Sequence, residues 1–412
     1  MKKRVVITGL GTYNPLGNNP DITWQKVLAG ESGIGPIEEL KNFELKTQFG
    51  GEVKGFDPVD LFGRKDARRM DRVTQLGLAA ANQAIADANL TLDADTCQMT
   101  GVVLGCGMGN VASALEGFQV FQEKGPLRMS PFTIPMMLAD SPAATISIAN
   151  GLQGPNMAIA TACAAGNNAL GEAAKMIQRG AADIMLAGGA EAPLLPVIIA
   201  GFNATGALST YDGDPTRASR PFDADRDGFV TGEGAAVLVL ESLEHALARG
   251  ARIYGELLGY GTSADAFHVS APADDGAGAI LSMRNALADA GMEPAEIDYI
   301  NAHGTGTKLN DKSETLAVKK VLGEVAYDRP ISSTKSIHGH LLGAAGALEA
   351  LISLKAIGDG YLPPTINYET ADPECDLDYV PNTARKAPIR TVLSNGFGLG
   401  GHNATIILGK YG

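Results

Sequence analysis

The sequence predicts an α/β fold made of two like halves, and three observations carry this expectation. Short apolar runs at 5–8, 101–104, 157–159 and 184–187 read as buried strands, with stretches of helical apolar spacing between them. Segments of the first half recur in the second in the same order. Gly9-Leu10-Gly11-Thr12 is echoed by Gly259-Tyr260-Gly261-Thr262, residues 84–89 by 286–291, and the strand with its glycine turn at 101–109 by 299–307. Among the 51 glycines, tight clusters stand at 105–109, 188–189 and 398–401, where backbone must pass close to backbone or to a ligand. The halves are expected to divide as 1–250 and 251–412.

Residues 5–8 follow the basic start Met1-Lys2-Lys3-Arg4 and end at once in glycine, so they are expected to form a first strand and not a targeting segment. Arg64, Lys65, Arg68, Arg69 and Arg72 recur at spacings of three and four, which predicts a basic helix face able to dock an acidic partner or simply to meet solvent. Residues 73–88 read as an alanine-rich helix, and 101–109 as a buried strand running into a glycine loop whose Cys106 and Met108 line a wall. The stretch 131–142 (Pro131, Pro135, Met136, Met137, Leu138) lacks clean periodicity and suits a cavity lining or a contact between subunits.

The segment around Cys163 carries the chemistry. Met157 to Ile159 suit a short buried strand, and Ala169, Leu170, Ala173, Ala174, Met176 and Ile177 recur at helical spacing until Gly180. Cys163 then sits at a helix N-terminus, where free N–H groups and the helix dipole bias a thiol toward thiolate. Small neighbours, Ala162, Ala164, Ala165 and Gly166, leave room for a carbonyl to approach. The other cysteines (Cys97, Cys106, Cys375) show no CxxC spacing, so neither a zinc site nor a disulfide framework is expected, and a reducing cytoplasm fits. A net charge of −13 argues against nucleic acid and anionic membranes, and no window approaches the roughly 18 apolar residues of a spanning helix.

Of six histidines, two stand at strand ends or strand-to-helix junctions: His303 before Gly-Thr-Gly-Thr, and His340 within the segment 332–346. By the internal repeat this segment corresponds to the one carrying Cys163, so both should meet at one pocket between the halves. Two neutral imidazoles can each direct an N–H at a carbonyl oxygen as charge builds there. Lys335 would add a fixed positive charge, with Glu314 as the partner holding it. His245, His338 and His402 read as structural.

Taken together, Thr161-Ala162-Cys163, Asn301-Ala302-His303-Gly304-Thr305-Gly306-Thr307, Ser333-Thr334-Lys335-Ser336 with Gly339-His340, and Gly398-Leu399-Gly400-Gly401-His402-Asn403 resemble the β-ketoacyl-acyl-carrier-protein synthases, most nearly the synthase II type. The resemblance covers essentially the whole chain, including Ser219-Arg220-Pro221-Phe222-Asp223 and Asp227-Gly228-Phe229-Val230. It implies a thiolase-like fold, two βαβαβαββ halves in a five-layer α-β-α-β-α stack, working as a homodimer with acyl carrier protein as partner and no bound cofactor. It further implies that Cys163 carries the acyl chain, that the backbone N–H groups of Cys163 and Leu399 hold the oxyanion, and that His303 and His340 stabilise the enolate formed on decarboxylation. Thr305 and Thr307 would bind the phosphopantetheine arm. Met108, Phe202, Phe229, Asp265 and Phe397 would line the substrate pocket, and Arg64, Lys65, Arg68 and Arg69 would receive the carrier protein. A structural monovalent cation would sit at Asn301, Glu349, Ser394 and Asn395.

Two departures stand out. Leu399 replaces the phenylalanine gate usual in relatives, and Ala164 and Ala165 replace hydroxyl residues after the nucleophile. A thiolase would carry a second cysteine in the C-terminal glycine loop, and an initiating or chalcone-type synthase would carry Asn in place of His340. A chain-length-factor subunit would lack Cys163. The competing enzyme is a ketosynthase of a polyketide or secondary lipid, which uses the same residues.

Overall fold

The computed structural model describes residues 2–412. The core elements of its first half run β1 (Val5–Tyr13), α1 (Arg72–Asp87), β2 (Thr100–Gly105), α2 (Ser141–Asn150), β3 (Asn156–Ile159), α3 (Ala165–Gln178), β4 (Ile184–Glu191) and β5 (Gly234–Ser242), with further helices between them. The second runs β6 (Gly255–Ala264), α4 (Ala277–Ala290), β7 (Tyr299–Asn301), α5 (Lys308–Leu322), β8 (Ile331–Ser332), α6 (Ala345–Asp359), β9 (Thr391–Gly398) and β10 (His402–Gly409). The order across the ten-stranded sheet is β8-β7-β9-β10-β6-β1-β5-β4-β2-β3. Read outward from the centre, both halves follow one scheme: first, fifth, fourth, second and third strand. Each has the core order βαβαβαββ that the resemblance implies.

The halves join at β1 and β6, which pair antiparallel only at Val6–Glu256 and Ile7–Gly255. From this short seam the two sets of strands enclose α3 and α6, each packed against strands of both halves, while α1 and α2 cover one outer face and α4 and α5 the other. That gives five layers. The middle position explains α6: Leu348, Leu351, Ile352 and Leu354 are all buried, and a helix apolar on every side belongs inside. Outer helices keep one polar face, and α1 is capped by Asp71, whose carboxylate accepts from the Val73 N–H at 3.2 Å.

The duplication extends to atomic packing. A Cβ on Gly9 would lie 2.3 Å from the carbonyl oxygen of Ala84 and 2.7 Å from the Cβ of Ala88. On Gly259 it would meet Ala286 and Ala290 at 2.3 and 2.8 Å in the same way. Glycine on the first strand lets the outer helix approach at backbone distance. The repeats do not share a single sequence offset, because residues 14–71 stand between β1 and α1 where only 265–276 separate β6 from α4.

Two expectations are corrected. β3 is the last strand of the sheet and is not buried: Asn156 and Met157 are exposed, and one backbone edge has no partner strand. The basic residues do not share one helix face. The helix Pro58–Ala67 is broken at Gly63 (φ 76°), so Arg64 and Lys65 lie on its last turn, whereas Arg68 and Arg69 lie in the bend before α1. All four are exposed; Arg72 turns inward, its Nη2 2.6 Å from Glu233. Among the described residues no helix is long and apolar enough to cross a membrane.

Candidate active site

Elements of both halves enclose a cavity of about 500 Å³ lined by Cys163, His303 and His340 together with Phe202, Phe229, Phe397, Thr305, Thr307, Asp265 and Leu399. Cys163 is the centre of a tight turn, Ala162–Ala164, that feeds α3, and Ala162 takes the left-handed conformation (φ 49°) that aims the next residue into the cavity. His303 follows β7, where Glu314 of α5 accepts the backbone N–H groups of His303 and Gly304, both at 2.8 Å. His340 precedes α6, its backbone N–H donating to the Val230 carbonyl at 2.7 Å. The imidazoles stand edge to face with centroids 5.3 Å apart, His340 against Phe229 and His303 against Phe397. Aromatic packing, Phe202 on Phe229 included, fixes the rings and keeps the cavity apolar.

Burial, with the positive charge of Lys335 behind it, holds both imidazoles well below their usual range, so both are neutral at physiological pH. The Nδ1 atoms of both are buried and have no partner among the described residues. Cys163 departs from the thiolate expectation. Burial pushes its thiol up to about 12, while Lys335 and the backbone N–H groups of Leu399 and Cys163 itself pull the other way. A helix terminus contributes at most about 2 kcal/mol, or some 1.5 pH units, less than desolvation takes away. The thiol form therefore prevails at neutral pH. Alkylation of Cys163 by iodoacetamide, followed on its own peptide, should accelerate about tenfold per pH unit from pH 7 to 10; a plateau near pH 8 would mean that the helix terminus dominates.

Glu314 does not hold Lys335. That partner is Glu349 of α6, whose Oε1 lies 2.5 Å from Nζ in a pair with 1% and 0% of the side chains exposed. Glu314 is spent on the His303 loop and on Asn395, whose Nδ2 donates to it at 3.1 Å. Asn301 Oδ1, Glu349 Oε2 and Ser394 Oγ are buried without partners among the described residues, a set of oxygens that suits a monovalent cation. The Asn395 oxygen accepts from Thr405 at 2.9 Å, which leaves it one lone pair. Among the described residues no cluster of three or more His, Cys, Asp or Glu is arranged to hold a metal. Met108 stands outside the cavity lining, its side chain 42% exposed.

Two residues escaped sequence reasoning. Arg226, 2% exposed, reaches the carbonyls of Thr307 and Lys308 at 3.3 and 3.2 Å and Asp311 at 3.5 Å, fixing the loop that carries Thr305 and Thr307. Glu191 is buried at the end of β4 and accepts four backbone N–H groups. An acid closing a strand of apolar and glycine residues was the available signal for it.

The β-ketoacyl synthase N-terminal domain matches residues 2–246, and the C-terminal domain matches residues 254–369. Over 410 residues the chain is 48% identical to a 3-oxoacyl-[acyl-carrier-protein] synthase 2 from Synechocystis sp., covering 100% of this chain and 99% of that protein. A protein of the same name from Staphylococcus aureus strain COL is 48% identical over 409 residues, with 99% of each chain covered. Among solved structures, a type II polyketide synthase acyl-carrier protein in complex with its ketosynthase, bound to the hexaketide, matches with a TM-score of 0.93 at 37% identity over 100% of both chains. Two domain matches in succession, and near-half identity along the whole length, lead to one conclusion: the chain belongs to the β-ketoacyl synthase family.

Proposed function

We propose that this protein is the condensing enzyme of fatty-acid elongation, joining malonyl-carrier protein to an acyl chain held on Cys163. The observation that carries the reading is the meeting of Cys163, His303 and His340 in one cavity, in a chain 48% identical to 3-oxoacyl-[acyl-carrier-protein] synthases 2. The sulfur of Cys163 attacks the acyl thioester and its proton passes to a neutral imidazole. The tetrahedral oxyanion lies at the N–H groups of Cys163 and Leu399. Collapse expels the pantetheine thiolate, which takes the proton back. Malonyl-carrier protein then enters. As its terminal C–C bond breaks and carbon dioxide leaves, the electron pair moves into an enolate whose oxygen accepts from His303 and His340. That carbanion attacks the Cys163 thioester, the C–S bond breaks, and the departing thiolate takes one proton from solvent, leaving a 3-oxoacyl chain two carbons longer.

Thr305 and Thr307, their hydroxyls 3.1 Å apart on the cavity wall, suit the amides of the phosphopantetheine arm. Phe202, Phe229 and Phe397 supply apolar wall for the chain, and Asp265, accepting from Asn403 Nδ2 at 2.7 Å, ties its loop to the glycine loop of Leu399. A monovalent cation held by Asn301, Glu349 and Ser394 would neutralise buried oxygen lone pairs behind Lys335 and hold those side chains in place. The open edge of β3, with Met157 at 38% and Ile148 at 82% exposure, favours a homodimer in which a second β3 continues the sheet.

The direct test is an elongation assay with acyl- and malonyl-carrier proteins. A 3-oxoacyl product two carbons longer, with equimolar carbon dioxide, is expected, and absence of product with every chain length would overturn the reading. Arg64, Lys65, Arg68 and Arg69 fit an acidic carrier protein on an otherwise acidic chain. Lys65→Glu with Arg68→Glu should raise KM for the carrier protein about tenfold at low salt and leave kcat unchanged. The similarity to a polyketide ketosynthase supports a second reading, the same condensation on a polyketide chain; a carrier protein of that pathway would then be the better substrate.

A further inference from the structure

The pseudo-symmetry reaches the catalytic turn itself. Cys163 is the middle residue of the turn Ala162–Ala164, entered through Ala162 at φ 49°, and the turn feeds α3. Gly343 is the middle residue of Leu342–Ala344, entered through Leu342 at φ 46°, and that turn feeds α6. Gly343 is therefore the counterpart of Cys163. β4 and β9 correspond too: both have 8 residues and occupy the same place in their half of the sheet, so Glu191 stands where Gly398 stands. At Gly398 a Cβ would lie 3.0 Å from the backbone nitrogen of Cys163, in the space the oxyanion needs. In the other half that space is filled. Glu191 Oε2 accepts from Gly343 at 3.0 Å and from Gly107 at 2.5 Å, while Oε1 accepts from Met108 at 3.1 Å and Gly109 at 3.3 Å. Glu191 is 1% exposed and forms no ion pair among the described residues.

We propose that Glu191 is the built-in occupant of a second anion hole, the symmetry-related copy of the one at Cys163, and that through Gly343 it positions the His340–Leu342 wall of the active cavity. Gly343 gives the carboxylate the N–H that its counterpart Cys163 gives a transient oxyanion, and Gly107, Met108 and Gly109 supply the other three donors. It thereby binds the 107–109 loop to the entry of α6, and both His340 and Leu342 line the cavity immediately before that clamp. The clamp also places a negative charge near the nucleophile. Burial pushes Glu191 up to about 7 and its four N–H donors hold it down, and its charge in turn raises the thiols of Cys163 and Cys106. Lys335 opposes it at Cys163, where His303 and His340 are neutral, and Asp71 reinforces it at Cys106. The inference rests on the reading of Cys163 as the acyl carrier.

Glu191→Gln keeps the size of the side chain, removes the charge and turns an N–H₂ toward donors. It should speed iodoacetamide alkylation of Cys163 about three- to tenfold above about pH 7, where Glu191 is ionised, with the gain fading at lower pH as Glu191 takes up its proton, and lower kcat for condensation about tenfold with KM for acyl-carrier protein unchanged. Glu191→Asp, which keeps the charge but is one methylene short, should show the wild-type alkylation profile with lowered kcat. A lower melting temperature, with an unchanged alkylation profile and full kcat per folded enzyme, would overturn the proposal. Alkylation needs no acyl donor, so this arm is decided even if the acyl-transfer reading fails. Should neither variant fold, amide exchange in the wild-type protein decides: the Gly343 and Gly107 amides are expected to be as protected as the core of β4, and exchange at the rate of an exposed loop would overturn the clamp.

Discussion

Cys163→Ala should abolish chain elongation, lowering the rate at least about ten-thousand-fold, because no neighbouring group can replace the sulfur as carrier of the acyl chain. Cys106 is buried against the 107–109 loop and is not part of the cavity lining, and Cys97 and Cys375 are likewise outside it. The two half-reactions should separate in this variant. Decarboxylation of malonyl-carrier protein depends on the imidazoles, which the substitution leaves in place, so carbon dioxide should still be released without a condensed product. Replacing Cys163 by a residue the size of alanine removes one small side chain at a turn already made of alanines, so an unfolded protein is not expected. Loss of both half-reactions together would place the sulfur in decarboxylation as well.

His303→Ala and His340→Ala should behave in the opposite way. Each variant should still take an acyl chain onto Cys163, more slowly, but condensation should fall roughly a hundred- to a thousandfold per histidine, the cost of losing one preorganised donor to a developing oxyanion. The double variant should fall by less than the product of the singles, since both donors serve one oxygen and their rings are in contact. The pH dependence carries a sign. Burial and Lys335 hold both imidazoles well below their usual range, so donor function should persist unchanged from neutral pH down through pH 6, where an ordinary histidine would have gained its proton. A ring titration of His303 or His340 with a midpoint near 6.5, followed by NMR on the imidazole protons, would contradict neutral donors of lowered pKa.

Much of this architecture was legible in the sequence because the repeat is written in small residues. Gly9 and Gly259 each permit one helix approach, and the alanines opposite them recur with them. Cys163 and His303 were legible because each follows a short apolar strand, and His340 because it stands in a segment that leads into a helix. Partnerships were less legible. Glu314 is close in sequence to His303 and looked like the mate of Lys335, yet its carboxylate is consumed by two backbone N–H groups, a demand that sequence spacing does not reveal. Glu349 was the better candidate on burial alone, as an acid within the otherwise apolar helix α6, and its pairing with Lys335 follows from the absence of any solvent there. The thiolate expectation failed for a related reason. A helix terminus can be read from a sequence, but the desolvation that outweighs it depends on what the fold packs around the sulfur. β3 looked buried because it is apolar, and only the strand order shows it to be an edge.

The central claim is that Cys163 carries an acyl chain while the cavity holds it. Intact-protein mass spectrometry after mixing with acyl-carrier proteins of increasing length tests it directly. The account predicts a single acyl mass on the wild-type protein, located on the Cys163 peptide and absent from Cys163→Ala, with an upper limit of chain length set by a cavity of about 500 Å³ and whatever a second subunit adds to it. An adduct on another residue, or none with any chain, would contradict it.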